Sequence, residues 1–292
     1  MATGAQWLAG ARPRTLPAAV APVASGTGAA VAAHGFDPGR AALAAVVALA
    51  LQVGVNYAND YSDGVRGSDT RRVGPLRLVG SGVAAPAAVK RAALLCFSVA
   101  AAAGLLLAAL TTWWLLLVGA ASLLAAWFYT GGRTPYGYRG LGEVSVFVFF
   151  GLVATVGTTY VQAGTVTSAA VIAGIGCGAL SCAILVANNL RDLPTDAAVG
   201  KRTLAVRLGA PRTRLLYVAL LVLAYAAAAV LLVQTRWVAL VLPSVVLAVA
   251  PARAVVAGAS GPLLVPVLKS TAGCLLAYGT TLGAALALSG LD

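Results

Sequence analysis

The amino-acid sequence predicts an all-α, polytopic membrane protein. Two observations carry this. Of the 292 residues, 60% are hydrophobic and 10% charged, and the mean hydropathy is +0.92. A soluble domain carries about a quarter charged residues. The apolar residues also fall in long runs, most of them near the ~20 residues that one bilayer crossing requires. Such runs exclude a membrane β-barrel, which needs alternating apolar and polar positions. The composition excludes disorder and a disulfide scaffold.

Nine helices are expected in one domain over residues 1–292. They lie at about 15–34, 41–62, 86–109, 112–130, 141–161, 168–190, 213–233, 237–257 and 265–288. Pro17 and Pro22 interrupt the first and predict a kink. The third and fourth are joined by little more than Thr111-Thr112, so they should be antiparallel neighbours. The formal net charge is +12. With nine helices, every Lys and Arg except Arg40 and Arg236 falls on one side. Basic residues mark cytoplasmic loops, so the N-terminus is expected in the cytoplasm and the C-terminus outside, in the plasma (inner) membrane. The charge is thus a topology signal, and no nucleic-acid partner is expected. Cys96, Cys177, Cys182 and Cys274 lie in apolar runs without a CxxC pair and read as packing residues.

The sequence has eight acids. Asp37 is in a loop on the outer side and Asp292 is terminal. Five of the others fall in two clusters on the basic side, and Glu143 lies on that side too. The first cluster runs Asn56-Tyr-Ala-Asn59-Asp60-Tyr-Ser-Asp63 and on to Asp69. The second runs Asn188-Asn189-Leu-Arg191-Asp192-Leu-Pro-Thr-Asp196. Asn59 and Asp63, four apart, share one helix face. Asn188, Asp192 and Asp196 repeat the interval and form a stripe if the helix continues past Pro194. Like charges at this spacing repel, and they are costly to desolvate at the hydrocarbon edge. They call for a cation. Oxygen ligands without His or Cys suit Mg²⁺, which completes its shell with water and phosphate oxygens.

The clusters also resemble each other. Ala58-Asn59-x-x-x-Asp63-x-x-x-Gly67 parallels Ala187-Asn188-x-x-x-Asp192-x-x-x-Asp196 four helices later, consistent with a facing, pseudo-symmetric pair of metal sites. The plainer reading is that the acids pair with loop arginines and stabilise the loops. Arg66, Arg72, Arg77, Arg133, Arg191, Lys201 and Arg202 are the candidates to hold a diphosphate, with Arg77 and Lys201 foremost. Arg suits this role because its fork matches phosphate oxygens.

At these residues the chain resembles the UbiA superfamily of intramembrane aromatic prenyltransferases. The family pattern is N-x-x-x-D-x-x-x-D on the second helix and D-x-x-x-D on the sixth. Asn59 and Asp63 match the first motif, and Asp192 and Asp196 the second, with Asn188 in front. Gly67 stands where the first motif has its last Asp, leaving Asp60 or Asp69 to contribute. Tyr129-Thr-Gly-Gly-Arg133 resembles the family's Y-x-x-x-K, with Arg for Lys. The stretches Gly10–Pro17, Asn59–Gly64, Gly74–Val79 and Gly200–Val206 are similar to the branch that prenylates 1,4-dihydroxy-2-naphthoate.

The resemblance implies a nine-helix bundle around a central cavity, capped by cytoplasmic loops and open to membrane lipid. It implies Mg²⁺-dependent transfer of a polyprenyl group from polyprenyl diphosphate to 1,4-dihydroxy-2-naphthoate. Carbon dioxide and a proton are lost, giving demethylmenaquinol for menaquinone biosynthesis. The implied metal ligands are Asp60, Asp63, Asp192, Asp196 and Asn188, and the catalytic set is Asp63, Asp192, Lys201 and Arg77. Asn59, Arg66, Arg72, Arg77, Tyr129, Arg133, Asn188, Arg191 and Lys201 are implied to hold diphosphate and acceptor, with Tyr129 and Tyr136 near the developing cation. Three rivals stand beside this. One is 4-hydroxybenzoate as acceptor. Another is an ion-coupled transporter, which needs charges near the bilayer midplane. The third is a CDP-alcohol phosphatidyltransferase, whose contiguous motif is not met after Asp63-Gly64.

Overall fold

The computed structural model describes residues 2–67 and 76–291. Among these, all regular structure is helical. The chain opens with α1 (Gly4–Ala11), where Thr3 and Gln6 form a reciprocal capping box. No helix is expected here from the sequence, because eight residues are too few to establish a periodic signal. Then come α2 (Pro17–Ala32), α3 (Pro38–Val65), α4 (Pro86–Leu110) and α5 (Leu115–Phe128). Proline stands first in α2, α3 and α4, where its missing N–H would be unsatisfied anyway. The expected kink is a 49° bend between Gly4–Thr15 and Pro17–Ala32. It lies ahead of Pro17, and Pro22 sits within α2.

Next, α6 (Gly142–Val146), a π-helical stretch (Phe147–Val153) and α7 (Ala154–Ala163) make one 22-residue rod. The 31-residue α8 (Ser168–Ala198) runs through Pro194, so its Asn/Asp stripe is complete. α9 (Leu204–Leu232) begins earlier than the expected 213. A short helix precedes a kink at Gly209, whose φ of 73° breaks the helical path just before Pro211. α10 (Leu242–Val256) and α11 (Leu264–Ser289) follow, each entered by a 3₁₀ turn. Seven of these helical segments are long and apolar enough to cross a membrane, and the bent pair at the start brings the number to as many as eight. α5 is shorter, at 14 residues, a rise of about 21 Å against a ~30 Å hydrocarbon core.

Packing between helices relies on small residues, as expected where lipid removes the hydrophobic drive between them. α2 and α11 approach so closely that a Cβ on Gly28 would lie 2.0 Å from the Gly283 carbonyl oxygen. Ser25 Oγ donates to the Gly279 carbonyl across the same seam, at 2.9 Å. α8 is the most enclosed of the long helices. Tyr278 donates to the Ala224 carbonyl at 2.9 Å, and the Tyr217 and Thr271 hydroxyls meet at 2.7 Å, so buried polar groups join α9 to α11. Arg40 sets a level at one end of the bundle. From the start of α3 its guanidinium donates to Leu110 O at 2.8 Å and Val161 O at 3.0 Å, at the ends of α4 and α7.

Candidate active site

A cavity of about 1190 Å³ runs between α2, α3, α4, α5, α7 and α8. Its wall is apolar over most of its extent, with Val47, Leu51, Leu105, Leu116, Leu123 and Phe150 facing it. Asp63, Asp192, Asp196, Arg77, Arg191 and Lys201 line it at the other end.

The end of α3 supplies Asp63, which is buried. The Tyr138 hydroxyl donates to Asp63 Oδ1, and Lys201 Nζ stands 3.3 Å from the same oxygen. Lys201 Nζ also lies 3.9 Å from Asp196 Oδ1 and 4.5 Å from the centre of the Tyr138 ring. One ammonium therefore joins the two acid clusters over an aromatic face, a favourable cation–π position. On α8, Arg191 grips Asp192 with two hydrogen bonds, Nε to Oδ1 at 2.7 Å and Nη2 to Oδ2 at 2.8 Å. The same Nη2 donates to Asn188 Oδ1 at 2.9 Å. Asn59 accepts from the Thr130 hydroxyl at 2.7 Å, which ties α3 to the loop after α5.

That loop brings in two phenols. Tyr129 and Tyr136 meet edge to face, with ring centres 5.6 Å apart. Tyr136 donates to the Ala125 carbonyl at 2.7 Å and lies 2.8 Å from Ser145 Oγ. Burial pushes the Tyr129 phenol well above its ordinary range, and the charge of Glu143 adds to this. Burial raises Tyr136 too, against the lowering effect of its bond to Ser145. Both rings therefore stay neutral and protonated.

The structure gathers most of the expected residues on this one cavity: Asn59, Asp63, Arg77, Tyr129, Asn188, Arg191, Asp192, Asp196 and Lys201 all line it. Three do not. Asp60 is fully buried off the cavity, and its two oxygens accept the backbone N–H groups of Leu78 at 2.8 Å and Val79 at 3.0 Å. Asp60 stands about 100° round the helix from Asn59, and its bonds to the Leu78 and Val79 backbone hold its carboxylate away from the cavity. Arg66 donates to the Thr130 and Gly132 carbonyls and lies off the cavity. Arg133 is exposed and also off it. Arg72 and Asp69 fall outside the described residues.

Arg12, Gln52, Asn56 and Tyr138 also line the cavity and were missed. Gln52 and Asn56 were legible in principle: positions 52, 56, 59 and 63 follow one helix face. Asn56 donates to Ala11 O and Thr15 Oγ1, both at 2.9 Å, and Gln52 to Thr15 Oγ1 at 3.0 Å. These bonds fasten the Ala11–Thr15 corner to α3. Tyr138 gave no signal, since it meets Asp63 only through the fold.

Among the described residues, no three acidic, His or Cys side chains converge tightly enough to hold a metal ion unaided. The oxygen donors still fit Mg²⁺. Asp63, Asp192 and Asp196, with Asn59 and Asn188, border one polar end, and phosphate oxygens would complete a shell that such a cation does not take wholly from protein.

A helical bundle with paired Asn/Asp stripes at the cationic end of an apolar cavity defines a membrane-embedded prenyltransferase fold. The chain belongs to the UbiA prenyltransferase family, whose profile matches residues 19–263. Over 292 residues it is 52% identical to 1,4-dihydroxy-2-naphthoate octaprenyltransferase of Mycobacterium tuberculosis, covering 100% of both chains. The Escherichia coli protein of the same name is 40% identical over 222 residues, covering 74% of this chain and 72% of that one. Among solved structures, a UbiA homologue from Archaeoglobus fulgidus bound to GPP and Mg²⁺ aligns with a TM-score of 0.69 at 13% identity, covering 96% of this chain and 99% of that one. One from Aeropyrum pernix K1 gives 0.69 at 16%, covering 93% and 97%. At such identities the likeness is one of fold.

Proposed function

We propose that this enzyme transfers a polyprenyl group from polyprenyl diphosphate to 1,4-dihydroxy-2-naphthoate, with release of carbon dioxide. One observation carries the reading: a single cavity joins a cationic, acid-bordered end to a long apolar wall. That end suits a diphosphate and the wall suits its lipid tail.

In the reaction the C1–O bond of the prenyl diphosphate breaks and its electrons leave with the diphosphate. Lys201, Arg77 and Arg191 place positive charge where that negative charge develops. Asp63, Asp192 and Asp196, with Asn59 and Asn188, would hold Mg²⁺, which when bound neutralises the leaving group. Tyr138 fixes Asp63, and Arg191 fixes Asp192, so both carboxylates are oriented before substrate enters. The neutral Tyr129 and Tyr136 rings face the allylic cation without offering an ionised nucleophile. The apolar wall keeps water from that cation. The acceptor ring then forms the new carbon–carbon bond, and its carboxyl group departs as carbon dioxide and a proton.

The same reading assigns nine membrane crossings, with α1 and α2 forming the first and the short α5 the fourth. It puts the site at the cytoplasmic face of the plasma membrane, the N-terminus inside and the C-terminus outside. The support is the distribution of Lys and Arg, which leaves only Arg40 and Arg236 on the far side. The central cavity would open to lipid.

The test supplies purified protein with Mg²⁺, one labelled polyprenyl diphosphate, and either 1,4-dihydroxy-2-naphthoate or 4-hydroxybenzoate. Prenylated naphthoate with matching carbon dioxide is expected. Product from 4-hydroxybenzoate alone would overturn the acceptor, and no product from any aromatic acceptor would overturn prenyl transfer.

A further inference from the structure

Most glycines inside the long helices are demanded by contact. A Cβ on Gly151 would lie 2.5 Å from the Gly178 Cα, and one on Gly54 2.6 Å from the Phe97 ring. Gly104 of α4, Gly119 of α5 and Gly157 of α7 differ. A Cβ on any of them would meet nothing within 4 Å, and all three line the cavity. Glycine is among the poorest helix formers, and here no neighbouring backbone or side chain requires it. What these glycines leave is room.

The three also share a level. Arg40 binds the Leu110 and Val161 carbonyls together, so Gly104, six residues before Leu110, and Gly157, four before Val161, lie near the same end. Gly119 is four residues into α5, which begins just after that end. The opposite level is marked by Glu143, whose Oε1 accepts from Asn189 Nδ2 at 3.0 Å, beside Asn188 and Asp192. From Glu143 to Gly157 the rise is about 20 Å.

We infer that Gly104, Gly119 and Gly157 hold open the far arm of the cavity for the distal isoprene units, and so set how long a prenyl chain the enzyme accepts. This rests on the proposed prenyl transfer. An extended isoprene unit of four bonds spans about 5 Å, by the bond lengths that set three bonds at 3.8 Å. A geranyl tail, at about 10 Å on the same measure, ends short of the glycines. An octaprenyl tail, at about 40 Å, is long enough to reach and pass them.

The experiment compares geranyl and octaprenyl diphosphate as donors, with naphthoate and Mg²⁺. It uses wild type, the graded series Gly119→Ala, Gly119→Leu and Gly119→Phe, and Gly157→Leu. The ratio of octaprenyl to geranyl kcat/KM should fall with each step in size, by roughly tenfold at Leu and more at Phe. Retained geranyl transfer shows that the variants fold, and the Ala and Leu steps keep the series readable if Phe does not fold. Gly273→Leu, equally free of neighbours but off the cavity, should leave the ratio at the wild-type value. A ratio unmoved across the Gly119 series, or a parallel loss for both donors, overturns the assignment. Wild type that transfers neither donor overturns prenyl transfer itself.

Discussion

The ends of α3 and α8 carry nearly the same sequence pattern and are built differently. α8 continues through Pro194 to Ala198, so Asn188, Asp192 and Asp196 stand on successive turns. α3 stops at Val65, Arg66 caps it, and Gly67 follows with φ +71°. The third position of the first motif has therefore left the helix and could not extend the stripe even as an acid. The two acids are also balanced differently. Asp192 takes its cation from the adjacent Arg191, within one helix. Asp63 takes Lys201 and Tyr138 from distant segments. The second motif is thus locally complete, whereas the first is assembled by the fold, and Lys201 is the piece that links them.

The strongest way to break this comparison is to remove an acid. Asp63→Asn and Asp192→Asn should each lower kcat by about 100-fold or more, measured as product formed at saturating substrates. Asp37→Asn should stay within about twofold, since Asn caps a helix as well as Asp. Full activity in Asp192→Asn would dismiss the paired site.

Lys201→Ala comes next. Loss of a charge-assisted contact of about 1.5–3 kcal/mol should raise KM for the prenyl diphosphate by roughly 10- to 150-fold. The acceptor's KM should be unchanged, and a change confined to the acceptor would reassign Lys201.

Asp60→Asn sharpens the division of labour between neighbours. An amide accepts with only one oxygen, so one of the Leu78 and Val79 N–H groups loses its partner, at about 1–3 kcal/mol. Thermal stability should fall while the Mg²⁺ concentration for half-maximal activity holds. A tenfold shift in that concentration would make Asp60 a ligand after all.

The smallest effect is expected from Gly67→Asp, which restores the family residue in a conformation costing about 1–2 kcal/mol for an L side chain. Melting should fall by roughly 2–4 °C per kcal/mol, with activity unchanged. Tighter Mg²⁺ dependence in this variant would show the two ends to be more alike than their backbones are.

Long apolar runs placed the helices because in lipid each must satisfy its own backbone. The interval of four put Asp63, Asp192 and Asp196 on faces that reach the cavity. Composition could not reveal Tyr138, which meets Asp63 from 75 residues away. Nor could it separate Asp60 from Asp63, since both are acids near one helix end and only their turn about the axis differs. The short helix from Leu204 was hidden by Gly209 and Pro211, which read as a loop and instead make a kink.

Lys201, Arg191 and Arg77 face Asp63, Asp192 and Asp196 across one buried mouth. Arg12 and Arg14 also line the cavity. A divalent cation entering alone would add to the positive charge of a poorly screened space, and a diphosphate entering alone would bring its negative charge against three carboxylates. Each therefore lowers the free energy of admitting the other, and linkage makes the benefit mutual. On the proposed reading the affinity of this site would belong to the pair of ligands rather than to either one, and titrating one in the presence of the other would measure that cooperativity directly.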